Sequence, residues 1–383
     1  MKVLIFTPQF HQLGGAERSV IELAVELNKR GIHADILSMY SADTQIIKAA
    51  RDNLYAMGIP NILFLELEVS PSFWSVFVAI LRLRRIVAKE NYTVVEASMI
   101  SPSIISILSF LGDRVKTIIG IRNIYKIRRE RSIQQRVLKF VVRLNKNVEF
   151  YSISNYARNA WLKYSQISKK KCAVIYNSIP NEFFNAAPDR QQLRLDLGIP
   201  KDAEIIVYVG RLAKYKGVDV AFNALKEDLH LNNRYLIFVG HQDLDVSGTS
   251  KMLDQMHVEI NEKNLHKHVR FLGIRNDIAR IMASSDVLIH PSRTEAFGRS
   301  LAEALAAQLP IVASDAEAIP EILSGTLSVL VDVNVTEKVR AAVLDSLNKE
   351  SEEIKVVKSQ GLKKAQSFRI EERTDLMIDL FKK

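Results

Sequence analysis

A single cysteine, Cys172, stands among the 383 residues. One thiol cannot close an internal disulfide, so the fold must hold without covalent cross-links, and a reducing compartment such as the cytoplasm suits it. Long apolar runs are missing as well. The longest, residues 73–83 and 100–111, fall short of the roughly 20 residues that span a bilayer and read as core helices. Behind Met1-Lys2 the apolar run Val3-Leu4-Ile5-Phe6 stops at Pro8, too short for a secretion signal and suited to a buried strand. No low-complexity tract or short repeat appears. Helix-turn-helix, aromatic stacking and zinc-ligand patterns are absent, so nucleic acid is not an expected partner.

Acid is scarce in one half only. Residues 1–180 hold 26 Lys+Arg against 13 Asp+Glu, a net of +13, whereas residues 181–383 hold 27 against 30. The excess concentrates in residues 122–146, where nine basic residues, including Arg128, Arg129, Arg131, Arg136 and Lys139, face Glu130 alone. Such a segment is either a solvated helix face or a surface for an anionic partner such as a membrane or a lipid phosphate.

What is present is a globular balance of 48% hydrophobic and 25% charged residues, in a chain long enough for two domains. Apolar runs alternate with segments of helical period. Strands are expected at 2–7, 34–38, 61–65, 93–96, 116–121, 149–152 and 172–175, then at 204–209, 235–239, 269–271, 286–289, 310–313 and 328–331. Helices such as 16–30, 72–89 and 157–164 lie between them. This alternation predicts an α/β fold of parallel sheets covered by helices. The pattern restarts after residues 177–202, a polar stretch with Pro180, Pro188 and Pro200 that reads as a linker. The expected domains are 1–185 and 186–365, with a C-terminal helix in 366–383 crossing back to the first.

Three motifs carry chemistry. Gly14-Gly15-Ala16-Glu17-Arg18 follows the first strand and opens a helix, where glycine permits either a tight βα turn or close backbone approach to a phosphate or sugar. Arg211 and Lys216, flanking the turn after strand 204–209, can clamp a diphosphate or merely lie on the surface. Glu295 and Glu303 bracket the start of a helix expected to run to about Gln308. Backbone N–H groups at such a helix start favour a phosphate, and flanking carboxylates favour hydroxyls, which together describe a nucleotide sugar.

The Glu295-x7-Glu303 spacing resembles the signature of glycosyltransferase family 4, retaining enzymes of the GT-B fold, in which two Rossmann-like domains face each other across a cleft. The order of GGAER, GRLAKYKG, VRFLG, HPSRTEAFG and IVASD resembles that family along nearly the whole chain. The resemblance implies that Glu295 binds donor-sugar hydroxyls, Glu303 the ribose hydroxyls, and Arg211 and Lys216 the diphosphate. It implies that the N–H groups of Ala296, Phe297 and Gly298 line the sugar, with those of Arg299 and Ser300 nearer the phosphates. Backbone at Arg270, Phe271, Leu272 and Gly273 would meet the nucleobase, and Gly14 and Gly15 would close on the donor from the other domain. It further implies a UDP-linked donor, no metal or other cofactor, and a leaving phosphate that helps deprotonate the acceptor on the same face.

Two departures qualify it. Arg122-Asn123 stands where many members carry a histidine and looks like the branch that extends lipid-linked glycans in bacteria, so Arg122 is expected to contact a phosphate or acceptor. Ala316-Glu317-Ala318 replaces a usual glycine pair, which bears on the sugar pocket. The expected acceptor is a glycan on a polyprenyl diphosphate, in surface-polysaccharide synthesis (O-antigen, capsule or similar), with the basic N-terminal domain held peripherally at the inner face of the cytoplasmic membrane. A catalytically weak nucleotide-sugar-binding subunit of a glycan-assembly complex is the alternative, and a GT-B nucleotide-sugar epimerase a further one. Asp243-x-Asp245 resembles a metal-binding pair of a different glycosyltransferase fold. His11 is placed near the glycine loop, and His290 is read as structural.

Overall fold

The computed structural model describes the chain except residues 11–13, 41–44, 68–72, 125–132, 145–147, 169–170, 231–232 and 244–245. It divides into two compact units, unit 1 of Met1–Ser178 with Ile370–Lys383 and unit 2 of Ile179–Arg369.

In chain order unit 1 runs β1 (Lys2–Thr7), α1 (Gly15–Lys29), β2 (His33–Tyr40), α2 (Gln45–Ala56), β3 (Ile62–Leu67), α3 (Phe73–Glu90), β4 (Val94–Ser98), α4 (Ile100–Ser109), β5 (Lys116–Ile121), α5 (Ile133–Leu144), β6 (Val148–Ser152), α6 (Asn155–Ser165) and β7 (Cys172–Val174). The strands pair in parallel in the order β3-β2-β1-β4-β5-β6-β7. Burial on both faces explains why β1, KVLIFT, is apolar without alternation: Val3, Leu4, Ile5 and Phe6 are all fully buried. On α1, Val20, Ile21, Leu23, Ala24 and Leu27 fall on one helical stripe and are buried.

Unit 2 continues with α7 (Asn181–Phe184), α8 (Arg190–Leu197), β8 (Glu204–Val209), α9 (Val218–Leu225), β9 (Arg234–Val239), α10 (Thr249–Glu262), β10 (Val269–Phe271), α11 (Ile278–Ser284), β11 (Val287–His290), α12 (Arg299–Ala306), β12 (Ile311–Ser314), α13 (Ile319–Ile322), β13 (Val329–Val331), α14 (Thr336–Leu347) and α15 (Ser351–Ala365). Its sheet is parallel, in the order β10-β9-β8-β11-β12-β13. The last helix, α16 (Ile370–Lys382), belongs to unit 1, where Arg30 donates to the Glu371 carbonyl at 3.1 Å.

Each strand expected from the sequence is present, with ends moved by at most two residues. The stretch 177–202 is not the plain linker its prolines suggested. Pro180 sits at the N-cap of α7, and Pro188 precedes the Asp189 N-cap of α8, which Gly198 closes in the left-handed conformation. Proline is tolerated at helix starts because the missing N–H has no intrahelical partner there. Phe183 and Leu193 bury these turns in unit 2. Among the described residues no helix is long and apolar enough to cross a membrane.

Candidate active site

Parallel strands bring their carboxyl ends to one edge of a sheet, and in open α/β sheets ligands bind there. In unit 2 that edge gathers the loops after β8, β9, β10, β11 and β12. Those after β8, β9 and β10 are stitched together by backbone: Gly210 donates to Val239 at 2.9 Å, Leu212 to His241 at 2.8 Å and Gly240 to Gly273 at 2.8 Å.

Within β8, Tyr208 is buried and donates its hydroxyl to the Arg211 carbonyl at 3.0 Å, folding the following loop back on the strand. A single 3₁₀ turn, Lys214–Lys216, ends at Gly217 with φ +74°, and a Cβ there would meet the Pro291 carbonyl oxygen at 2.0 Å. Only glycine lets these two loops approach so closely. Tyr215 accepts from the Arg293 N–H at 2.9 Å, and the Arg293 guanidinium pairs with Asp219 at 2.9 Å. The turn is thus seated on the loop that carries Glu295.

That seating puts the Lys216 ammonium against the Glu295 carboxylate, both largely shielded, with side chains 16% and 13% exposed. His290, at the end of β11, lies 3.5 Å away through Nε2 and meets Ser300 Oγ at 3.3 Å through Nδ1. Burial pushes the Glu295 carboxyl up. The Lys216 charge, the adjacent His290 and the hydrogen bond from Lys216 outweigh it and hold the group well below the usual carboxylate range. For His290 burial wins over Glu295, so its pKa is lowered and the imidazole is neutral at pH 7. His290, read from the sequence as structural, thus lies beside Glu295 and Ser300.

The backbone of Glu295 is held too. Its N–H donates to Glu317 Oε2 at 2.8 Å, and its carbonyl accepts from Ala318 N at 3.2 Å. Helix α12 then starts from Gly298, φ +84°, where a Cβ would lie 2.8 Å from Leu301 Cδ1. Glu303 is the fifth residue of α12, a little over one turn in. Its carboxylate lies 3.4 Å from the Arg299 Nε. The side chain of Phe297 is core, edge-on to Phe368 at 5.4 Å, so only its backbone can serve a ligand. Arg211 is half exposed and pairs with Asp243 at 2.9 Å. That aspartate is therefore an arginine partner, and Asp245 lies outside the described residues. No group of three or more His, Cys, Asp or Glu that could hold a metal occurs among the described residues.

At β10, Phe271 stacks on Phe238 at 5.0 Å, the Arg270 guanidinium bonds the His266 carbonyl, and the Leu272 N–H is committed to Phe238 O at 2.9 Å. Gly14 and Gly15 open α1 in unit 1, with Arg18 N donating to Gly14 O at 3.0 Å. His11 lies outside the described residues.

Arg122 requires a correction. The guanidinium expected to meet a phosphate or acceptor is buried within unit 1, and each of its three nitrogens already donates to protein. Nε reaches Ser98 at 2.8 Å, Nη1 reaches Asn177 at 3.0 Å and Ser19 at 3.1 Å, and Nη2 reaches Tyr151 at 2.6 Å. Glu96, fully buried on β4, lies 3.9 Å from Nη2 and accepts from Ser98 and Tyr151, both at 2.7 Å. Burial, eased by Arg122, pushes the Tyr151 phenol up to about 12. Arg373 of α16 joins through the Ser19 carbonyl at 2.6 Å and Ser178 Oγ at 3.2 Å, and burial lowers its pKa to about 10. Sequence reasoning did not find this network, although Glu96 between Val95 and Ala97 was a visible signal of a paired buried charge.

With the geometry in place, comparison with known proteins is informative. Residues 13–183 match the family model described as Glycosyltransferase Family 4, and residues 189–364 match that of Glycosyl transferases group 1. The GPI3 subunit of phosphatidylinositol N-acetylglucosaminyltransferase from Saccharomyces cerevisiae is 23% identical over 363 residues, 92% of this chain and 75% of that protein. Among solved structures, Anabaena HepE in complex with UDP superposes with a TM-score of 0.84 at 19% identity, covering all of both chains. WaaG, a glycosyltransferase involved in lipopolysaccharide biosynthesis, gives 0.72 at 16% identity over 99% of each. The chain, a family 4 domain followed by a group 1 domain on two parallel-sheet units, belongs to the glycosyltransferases of the GT-B fold.

Proposed function

We propose that this glycosyltransferase takes its sugar from a UDP-linked donor held at the carboxyl edge of the unit 2 sheet, and transfers it with retention of anomeric configuration. The observation that carries the reading is the shielded Lys216–Glu295 pair beside neutral His290, set at the start of α12. Glu295 accepts hydrogen bonds from donor-sugar hydroxyls and Glu303 from the ribose. Departure of the nucleotide diphosphate develops negative charge, which Arg211, Lys216 and the positive end of α12 stabilise. Removal of one such donor costs roughly 10² to 10³ in kcat. The leaving phosphate helps take the acceptor proton on the same face, so the step needs neither a metal nor a protein nucleophile.

The acceptor is a glycan on a polyprenyl diphosphate, in bacterial polysaccharide synthesis, approached from an anionic membrane surface. Support comes from the net +13 of residues 1–180 and from exposed Phe140 and Arg136 on α5 and Trp74 on α3. Basic residues near such a surface contribute about 1 kcal/mol each. A nucleotide-sugar-binding subunit of low activity is the competing reading, favoured by the yeast relative's designation as a subunit. The intact set Glu295, Glu303, Arg211 and Lys216 favours turnover. The test is transfer from an α-linked UDP-sugar panel in the presence of EDTA, with product configuration read by NMR. An α product supports retention and metal independence. A β product, or complete dependence on added Mg²⁺, contradicts them.

A further inference from the structure

We propose that Glu317 is a positioning residue that holds Glu295 in its working geometry. The inference rests on the reading of Glu295 as the donor-sugar carboxylate.

Glu317 lies in the turn between β12 and α13, at φ +52°. That is the left-handed region, sparsely populated by residues other than glycine, asparagine and aspartate. Such a conformation persists where the surroundings over-determine it, and an observed outlier beside a site is a pointer to function. Here the compensation is visible. Glu317 Oε2 accepts from the Glu295 N–H at 2.8 Å and from Thr294 Oγ1 at 2.6 Å. The next residue, Ala318, donates its N–H to the Glu295 carbonyl at 3.2 Å. Two consecutive residues therefore take both polar groups of the Glu295 backbone, one of them through a charge-assisted bond.

The end of β12, just before this turn, braces the rest of the loop. Ser314, the last residue of β12, donates to the Ser292 carbonyl at 2.5 Å, and Ser292 donates to the Thr294 carbonyl at 2.9 Å. Residues 292–295 are thus fixed from β12 while the Glu295 side chain points to Lys216 and His290. A glycine at position 317 would adopt the turn without strain but would leave the Thr294 and Glu295 donors without their carboxylate. Displacement of a catalytic group by about 1 Å can cost about 10²-fold in rate.

The test compares full-length wild type with Glu317→Gly and Glu317→Gln. Glycine keeps the backbone unstrained and removes the side-chain carboxylate, and glutamine keeps an acceptor oxygen. Three readouts are needed: hydrogen exchange of the peptide spanning 292–298, kcat with a UDP-sugar, and affinity for UDP alone. The expected result is faster exchange and a roughly 10- to 100-fold lower kcat for Glu317→Gly at unchanged UDP affinity, with Glu317→Gln restoring both. Unchanged exchange in Glu317→Gly, or a glutamine variant as impaired as the glycine one, would overturn the proposal. So would loss of UDP affinity in step with kcat, the mark of a generally collapsed site. A wild type inactive with every donor would instead overturn the reading of Glu295, while the exchange data still decide the role of Glu317.

Discussion

Replacing Lys216 by methionine removes the ammonium and keeps most of the apolar stem. Glu295 is then left as a shielded carboxylate, its side chain 13% exposed, with His290 at 3.5 Å as its nearest titratable neighbour. Breaking a buried pair from one side typically costs about 3–5 kcal/mol. Protonation sets a ceiling: neutralising a carboxyl of ordinary pKa 4.5 at pH 7 costs about 3 kcal/mol at 1.36 kcal/mol per unit. The expected loss at pH 7 is therefore about 3 kcal/mol. For a unit of this size, about 2–4 °C per kcal/mol gives a fall in Tm of about 6–12 °C. The loss should shrink toward pH 5, where protonating the carboxyl costs little. A second substitution, Glu295→Gln, removes the stranded charge and should recover at least half of it. Both tryptophans, Trp74 and Trp161, lie in unit 1, so calorimetry of the full chain is the assay for unit 2. A single variant that loses under 1 °C, or a double variant no more stable than the single, would refute the reasoning.

Gly217→Ala places a Cβ 2.0 Å from the Pro291 carbonyl at φ +74°; it should destabilise unit 2 by about 2–4 kcal/mol and weaken nucleotide binding, both read by calorimetry. Because burial holds the His290 pKa below its ordinary 6.5, the unfolded chain takes up that proton first. Stability should therefore fall as pH drops below 6.5, at no more than about 1.4 kcal/mol per pH unit for this one group, and urea titrations of His290→Asn should show a shallower slope there. Arg122→Met strands Glu96 and should cost unit 1 about 3–5 kcal/mol, visible in tryptophan fluorescence during urea unfolding. Loss of acceptor use with unchanged stability would instead restore the ligand role suggested by its sequence position.

Strands are legible where parallel sheets buried on both faces demand apolar runs, and β1, β5 and β8 fall where those runs fall. The Glu295-x7-Glu303 motif keeps its local geometry because short spacing on one loop and helix survives folding. Glu295 and Lys216 are far apart in sequence, and their meeting depends on Gly217 packing against Pro291, which no local pattern announces. Arg122 was misread for the same reason. An arginine after a strand end looks like an anion ligand until Glu96, Tyr151, Ser19 and Asn177, drawn from four separate segments, are seen to enclose it. Pro180 and Pro188 look like interruptions in the sequence, yet each stands at the entry to a helix. Of the nine basic residues at 122–146, five (Lys126, Arg128, Arg129, Arg131 and Lys146) lie outside the described residues.

The proposed function depends on the unit 2 edge binding a nucleotide diphosphate through Arg211, Lys216, Glu303 and the start of α12. Thermal unfolding with UDP, GDP, ADP and CMP tests it most directly, comparing wild type with Glu303→Gln and Arg211→Ala. A ligand at 100 times its Kd stabilises by about 2.7 kcal/mol, which corresponds to about 5–11 °C. The account predicts that UDP produces this shift in wild type and that both variants lose most of it. A shift of equal size in all three proteins, or none with UDP in wild type, would contradict the account.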